Sequence, residues 1–252
     1  MRTSERLWHL VHRYGLGSSF TGVWVENREI SESVRILGVD TTTGVDCTWA
    51  DINKEREAGN EQGFIWAGRI NSHWIQLIYI GVEAPDALPK LTEGDRRVLL
   101  ISWHVNSAGK LIYARNGDYA TIFDITRPDR QRGADPHALD QYAEGLMFDA
   151  HDTSWENDPE LLPGWLEYSR WEELRLETEA SDDDYDNMPT EWMSFLELAA
   201  NGYSPQLATC ITSAFILVGR IVGQELDEAW MEGVHTRFAF TGVEEEQRRI
   251  ER

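Results

Sequence analysis

The sequence contains little of what usually identifies a site or a compartment. Only two cysteines occur among the 252 residues, Cys47 and Cys210, and they are far apart in the chain. They form neither a zinc-binding pattern nor a disulfide framework, which is typical of a reducing compartment. The longest apolar run, 214–218, is far shorter than the ~20 residues that span a bilayer. The N-terminus has charges where a signal peptide needs apolar residues, so we expect a cytoplasmic protein without a membrane segment.

Basic residues are also scarce. The chain has 44 acidic and 23 basic residues and a formal net charge of −21. So acidic a molecule repels phosphate backbones at long range and attracts basic partners. We therefore expect a basic protein as the partner and no direct binding to nucleic acid. Apolar residues make up 41% of the chain and include 11 tryptophans, which is enough for a substantial core.

The residue pattern predicts an α+β fold. Short runs rich in β-branched and aromatic residues predict strands at 20–25, 64–70, 73–82, 98–105, 110–115 and 119–125. Asn116-Gly117 is a strong hairpin signal between the last two. Helices are predicted at 4–13, 32–37 with Ser31 as N-cap, 48–58, 136–148, 190–200, 205–222 and 226–233, before a strand at 237–240. We predict one domain over 1–252, an antiparallel meander packed on one face by the C-terminal helices.

An acidic insertion is predicted at about 149–187. Residues 149–186 contain 14 acids and two bases. The middle of this stretch has the spacing of an amphipathic helix. Tryptophans embedded in acid suit an interface with a basic, partly apolar partner, although helix packing explains them more simply. The predicted partner-binding residues are Trp165, Trp171, Asp182, Asp183, Asp184 and Asp186.

No complete metal or cofactor motif is present. Asp182, Asp184 and Asp186 match the first three ligand positions of a calcium loop. Asn187 stands where that loop requires glycine, and Met193 stands where it requires the bidentate glutamate. We therefore predict no bound metal and no cofactor.

A segment dense in arginine and aspartate follows the last strand of the meander. In a structural interpretation, Arg130 and Arg132 pair with nearby acids, Asp129, Asp135 or Asp140, and hold the loop against the next helix. In a functional interpretation, one of the arginines faces a partner's carboxylate or phosphate. The structural interpretation is favoured because the acids lie within a few residues.

The central motifs resemble those of a known family. They are Val105-Asn106-Ser107-Ala108, Tyr113-Ala114 with Gly117, Thr121-Ile122-Phe123, and the stretch from Pro128 to Asp140. In this order they resemble the signature of the actinobacterial domain-of-unknown-function family 6461. The strand and helix at 20–39 and the apolar helix at 207–222 also resemble elements of that family. The resemblance implies a fold type but no activity and no catalytic residue.

These observations predict a non-enzymatic binding protein, of the immunity or inhibitory type, that captures a basic partner through an acidic face. Two alternatives stay open. One is a hydrolase whose site assembles in space, with His104 and Asp124 approaching across the sheet near Ser102 or Ser107, although no Gly-x-Ser-x-Gly motif frames either serine. The other is a small-ligand sensor with an aromatic pocket.

Overall fold

The structure is a computed structural model that describes residues 3–57, 63–82, 87–104, 107–150, 162–177, 192 and 205–240. The helices of these regions are α1 (Thr3–Arg13), α2 (Ile30–Ile36), α3 (Trp49–Glu57), α4 (Asp140–Ala143), α5 (Leu162–Glu177), α6 (Pro205–Val222) and α7 (Glu228–Met231). Two 3-10 helices, η1 (Thr41–Thr43) and η2 (Leu88–Thr92), join them. The strands are β1 (Ser19–Glu26), β2 (Val45–Cys47), β3 (Phe64–Arg69), β4 (Trp74–Ile80), β5 (Arg97–His104), β6 (Ser107–Arg115), β7 (Asp118–Asp124), β8 (Arg127–Arg132) and β9 (His235–Ala239).

All nine strands of the described regions belong to one antiparallel sheet, in the order β2-β9-β3-β4-β1-β5-β6-β7-β8. The run from β5 to β8 contains the last three strands of the predicted meander and one more strand, whereas β3 and β4, which the prediction placed next to β5, are separated from it by β1. β1 lies in the middle of the sheet, between β4 and β5, and β9 lies between β2 and β3. The predicted α+β class with an antiparallel sheet is thus confirmed.

One face of the sheet packs on α1 and α6. Alternate residues of the strands turn large apolar side chains to this first face, among them Phe20, Trp24, Trp66, Leu99 and Leu111. The helices contribute Leu7, Leu10, Ile211, Phe215 and Val218 to the same cluster. Each such side chain stabilises the fold by about 1.5–3 kcal/mol when it is fully buried. The C-terminal helix α6 therefore packs as predicted, and the N-terminal helix α1 lies beside it.

The second face is covered only in part. Val34 of α2, Leu37 at the C-cap of that helix, and Leu88 and Leu91 of η2 pack on this face. Its apolar residues include Val23, Val25, Leu77, Val98 and Leu100. The backbone N–H of Gly117 donates to the Thr92 hydroxyl at 2.7 Å, so η2 is held near the β6–β7 hairpin. On this same face, the ends of β5 and β6 that lie away from η2 carry polar residues, Ser102 and Lys110.

Three local predictions are corrected. Helix α2 begins at Ile30, with Glu29 at the N-cap position, so Ser31 lies inside the first turn. The helix predicted at 136–148 is limited to α4, and Gly145, with φ of +71°, lies beyond its end. The segment after β7 is the edge strand β8 and not a loop, because pairing with β7 outweighs the poor strand propensity of its residues.

Parts of the sequence prediction lie outside the described regions. The helix predicted at 190–200 is outside them except at Trp192. The single domain with an acidic insertion at 149–187 stays a prediction, since 151–161 and 178–187 are also outside. None of the helices that the structure describes is long and apolar enough to cross a membrane.

Candidate partner-binding site

Helix α5 places aromatic side chains on one stripe. Trp165, Tyr168 and Trp171 are spaced by three residues, so they follow one another on the same side of the helix. Adjacent ring centroids are 5.8 and 6.1 Å apart. The ring of Trp192 lies 6.3 Å from those of Tyr168 and Trp171. Tyr168 is 2% exposed and the two tryptophans are half-buried, so this aromatic stripe packs inward.

The opposite side of α5 combines apolar and charged residues. Leu166 is 43% exposed and Leu174 is 62% exposed, although they stand only about two turns apart. Glu167, Arg170 and Glu173 are exposed around them. We call these five residues the outer face of α5. Its leucines are flanked by carboxylates, which is the combination that contacts the stem and the charged head of a lysine or arginine.

The predicted partner-binding residues are only partly described. Trp165 and Trp171 lie together on the aromatic stripe of α5. Both are half-buried, so neither lies at the centre of an exposed surface. Asp182, Asp183, Asp184 and Asp186 lie outside the described residues. Leu166 and Leu174 were not predicted as site residues, because their spacing alone is that of buried positions in an amphipathic helix. Their exposure is a property of the tertiary structure.

Asp135 and Asp140 pair with residues that the structural interpretation did not name. The carboxylate of Asp135 pairs with Arg115 at 2.7 Å, and that of Asp140 with the imidazole of His137 at 3.0 Å. Arg132 is exposed, and the side chain of Arg130 lies outside the described residues. The clamp formed by Arg130 therefore stays a prediction, and no contact within the described residues joins Arg132 to either of these two aspartates.

The backbone around Asp135 explains its pairing with Arg115. Its N–H donates to the Ala120 carbonyl at 2.8 Å, and its own carbonyl accepts from the Thr121 hydroxyl at 2.8 Å. These bonds tie Asp135 to β7. Its carboxylate therefore reaches Arg115, at the end of the neighbouring strand β6, and not the edge strand β8.

His104 and Asp124 do not meet across the sheet. Strand β6 lies between them, with Ser107 opposite His104 and Lys110 opposite Asp124. Strand spacing and rise put their Cα atoms on the order of 10 Å apart. The carboxylate of Asp124 accepts from the N–H and hydroxyl of Thr126 at 2.8 and 2.6 Å. This geometry adds no support to the hydrolase alternative, which stays a prediction.

Neither cysteine is a reactive thiol, and the described residues contain no metal-binding cluster. Burial raises the pKa of Cys210 to about 12 and also raises that of Cys47. Both thiols are therefore protonated and weakly nucleophilic at neutral pH. Within the described ranges, no group of three or more His, Cys, Asp or Glu side chains is arranged to hold a metal ion.

The aromatic cluster between α7 and β3 is filled by the protein's own side chains. The imidazole of His235 stacks on Trp230 at 4.2 Å and meets the edge of Trp66 at 4.7 Å. It also occupies the space above Gly68, where a Cβ atom would lie 2.3 Å from its Nδ1. Burial lowers the pKa of His235, so the ring is neutral at neutral pH. This cluster is therefore packed core and not the pocket of a sensor.

An open cleft of about 530 Å³ lies at the C-terminal end of α6. Its charged groups already have partners. Arg6 pairs with Glu225, Arg220 donates to the carbonyls of Tyr142 and Glu144 at 2.7 and 2.8 Å, and Asp227 caps α7 by accepting from the Trp230 N–H at 2.8 Å. The cleft therefore offers few polar groups to a ligand.

Comparison of the chain with protein-family models, curated proteins and solved structures finds no match. The resemblance to family 6461 therefore stays a prediction. Among the surfaces that the structure describes, the outer face of α5 combines exposed leucines with carboxylates.

Proposed function

We propose that this protein is a non-enzymatic, cytoplasmic binding protein of the immunity or inhibitory type, which captures a basic and partly apolar protein. The outer face of α5 is the contact surface. The observation that carries the proposal is the exposure of Leu166 and Leu174 beside Glu167 and Glu173 on one helix side. Exposed leucines in such a setting are typical of an interaction surface.

Charge explains why the partner is basic. The net charge of −21 attracts a basic protein from a distance, and this attraction is screened beyond about 8 Å at physiological ionic strength. Long-range charge mainly increases the association rate, whereas buried apolar contacts mainly slow dissociation. The two parts of the proposed surface can therefore be separated by kinetics.

The experiment uses a defined probe, a synthetic amphipathic helix of lysine and leucine, with a glutamate and leucine helix as the control peptide. We expect the basic peptide alone to bind the full chain, with an association rate that falls as salt is raised. Leu166→Ala should increase the dissociation rate about tenfold if that side chain is buried in the complex. Glu167→Lys with Glu173→Lys should lower the association rate several-fold.

The matched control is Val234→Ala, which truncates another exposed apolar residue, 66% exposed and outside α5. It should change neither rate. Equal effects of Leu166→Ala and Val234→Ala would show that the peptide binds non-specifically to exposed apolar residues, and would contradict the proposal. Binding that is insensitive to both salt and the charge reversals would contradict it as well.

A further inference from the structure

The outer face of α5 reads the same in both directions along the helix. Arg170 stands at its centre, with Glu167 and Glu173 three residues away on either side and Leu166 and Leu174 four residues away. At a rise of about 1.5 Å per residue, the glutamates lie about 4.5 Å from the centre along the helix axis and the leucines about 6 Å. The face therefore has the symmetry that a twofold contact between two identical chains requires.

The angular positions of these residues keep like charges apart in such a contact. Successive residues of a helix turn by about 100°, so Glu167 and Glu173 lie about 60° to opposite sides of Arg170. When two copies of α5 pack antiparallel around an axis at Arg170, each Leu166 comes to the level of the partner's Leu174. Glu167 and the partner's Glu173 also share a level, but they lie on opposite flanks of the pair.

The guanidinium of Arg170 is available for an ion pair between the copies. Arg170 is exposed and forms no ion pair with any residue of the described ranges, although Glu167 and Glu173 are each only three residues away. In the antiparallel pair, the partner's Glu167 lies about 4.5 Å further along the axis, within reach of the arginine side chain. The twofold axis repeats this contact, so the pair gains two ion pairs flanked by leucines.

The contact is small, and net charge opposes it. Five residues from each copy bury less than the roughly 1,200 Å² of a stable interface, so a Kd on the order of 100 μM is expected. Two chains of net charge −21 repel each other, and added salt screens this repulsion. Pairing should therefore strengthen as salt is raised, whereas capture of a basic protein should weaken.

From this symmetry we infer that the outer face of α5 pairs with the same face of a second copy when no basic partner is bound. The pair covers both leucines, so self-association and capture of a basic protein exclude each other. This exclusion rests on the proposed function, because it requires that the same face holds the basic protein. The pairing itself does not.

Analytical ultracentrifugation of the full chain, at concentrations up to about 1 mM, measures the pairing. The Kd should fall several-fold as salt is raised from about 0.05 to about 0.5 M. Arg170→Glu should weaken pairing at least about tenfold, because three acids of each copy would then face each other. Lys54→Glu is the matched control, since it makes the same charge change on a side chain that is 75% exposed on α3, and it should leave the Kd unchanged.

A charge exchange tests whether the two faces meet each other. The double variant Glu167→Lys with Glu173→Lys should not self-associate, because its faces carry only cations. Mixed with Arg170→Glu, it should form a one-to-one pair at least about tenfold tighter than either variant forms alone. Variants that had lost the fold would not regain pairing on mixing.

Cysteine cross-linking tests the position of the axis. Arg170→Cys lies on the axis, so oxidation should join two copies through this position. Leu166→Cys should not cross-link in this way, because its two copies would be about 12 Å apart along the axis. The unsubstituted chain is the control for its own thiols, of which Cys210 is buried and Cys47 half-buried.

Three results would overturn the inference. They are the absence of pairing up to about 1 mM at high salt, equal weakening by Arg170→Glu and Lys54→Glu, and failure of the mixed variants to pair. A basic peptide that bound the chain without separating the pair would overturn the exclusion. The proposed function fails separately: it is contradicted when the unpaired Arg170→Glu chain does not bind the lysine and leucine peptide, a result that leaves the pairing intact.

Discussion

Gln76 has a buried side-chain amide without a hydrogen-bond partner. It lies on the first face of β4, between Gly68 of β3 and Trp24 of β1, and is 0% exposed. Neither its Oε1 nor its Nε2 finds a partner among the residues that the structure describes. An amide buried in this way costs about 1–3 kcal/mol by mutational measurements. Gln76→Met removes this cost with a flexible side chain of similar length.

We expect Gln76→Met to stabilise the fold. A volume-conserving substitution in a core costs less than about 1.5 kcal/mol, so the net gain should be about 1–2 kcal/mol. For a chain of this size, that gain raises the melting temperature by about 2–8 °C. Thermal and denaturant unfolding measure it. The control is Gln141→Met at an exposed position of α4, where the change should stay within about 0.5 kcal/mol.

Gln76→Glu tests the same site in the opposite direction. Burial raises the pKa of the introduced carboxyl above its unfolded value, so its neutral form is compatible with the fold at low pH. Stability relative to the wild type should therefore be greatest below about pH 4 and should be lost as the pH rises through the folded pKa. A lower melting temperature for Gln76→Met than for the wild type would refute the reasoning, because it would show that the amide makes favourable bonds.

Three further predictions concern packing and pH. Gly68→Ala should destabilise the fold by about 1–3 kcal/mol in chemical denaturation, because the new Cβ would overlap the imidazole of His235; little change would show that the ring moves freely. Since burial lowers the pKa of His235, its neutral form contributes stability above about pH 6.5 that is lost as the pH falls through the folded pKa, and His235→Gln should flatten this slope in unfolding curves. Arg97 donates to Glu26 at 2.6 and 2.9 Å and lowers the pKa of that carboxyl, so Arg97→Ala should cost about 1–3 kcal/mol at neutral pH and less in acid. The more exposed pair made by Arg115 is the control, and Arg115→Ala should cost less than about 1 kcal/mol; equal losses would contradict the role of burial.

The sequence predicted local structure best where a single pair of residues determines the backbone conformation of a turn. Asn116 and Gly117 have φ of +55° and +81°, as a tight hairpin of this kind requires. The strands on either side are β6 and β7, as predicted. The strong apolar pattern of 205–222 likewise predicted α6 with its bounds. Such segments can be predicted from their own residues, because their conformation does not depend on contacts with distant parts of the chain.

The candidate site was less accessible to prediction. Tryptophans in an acidic segment pointed to α5, but the exposed leucines of its outer face follow the same periodicity as buried ones. Cross-strand register was also not predicted. It places Thr21 in line with Ser102 and Lys110, which are distant from it in the chain.

The sequence by itself determined the α+β class, most of the strands, the hairpin at Asn116-Gly117 and the acidic character of the surface, because these depend on local pattern and composition. Only the tertiary structure decided that 127–132 forms an edge strand, that β9 enters between β2 and β3, and that Asp135 pairs with Arg115. The physical reason is that strand pairing and ion pairing join residues that are distant in the chain, and their free energies outweigh the weak local preferences that a sequence pattern records.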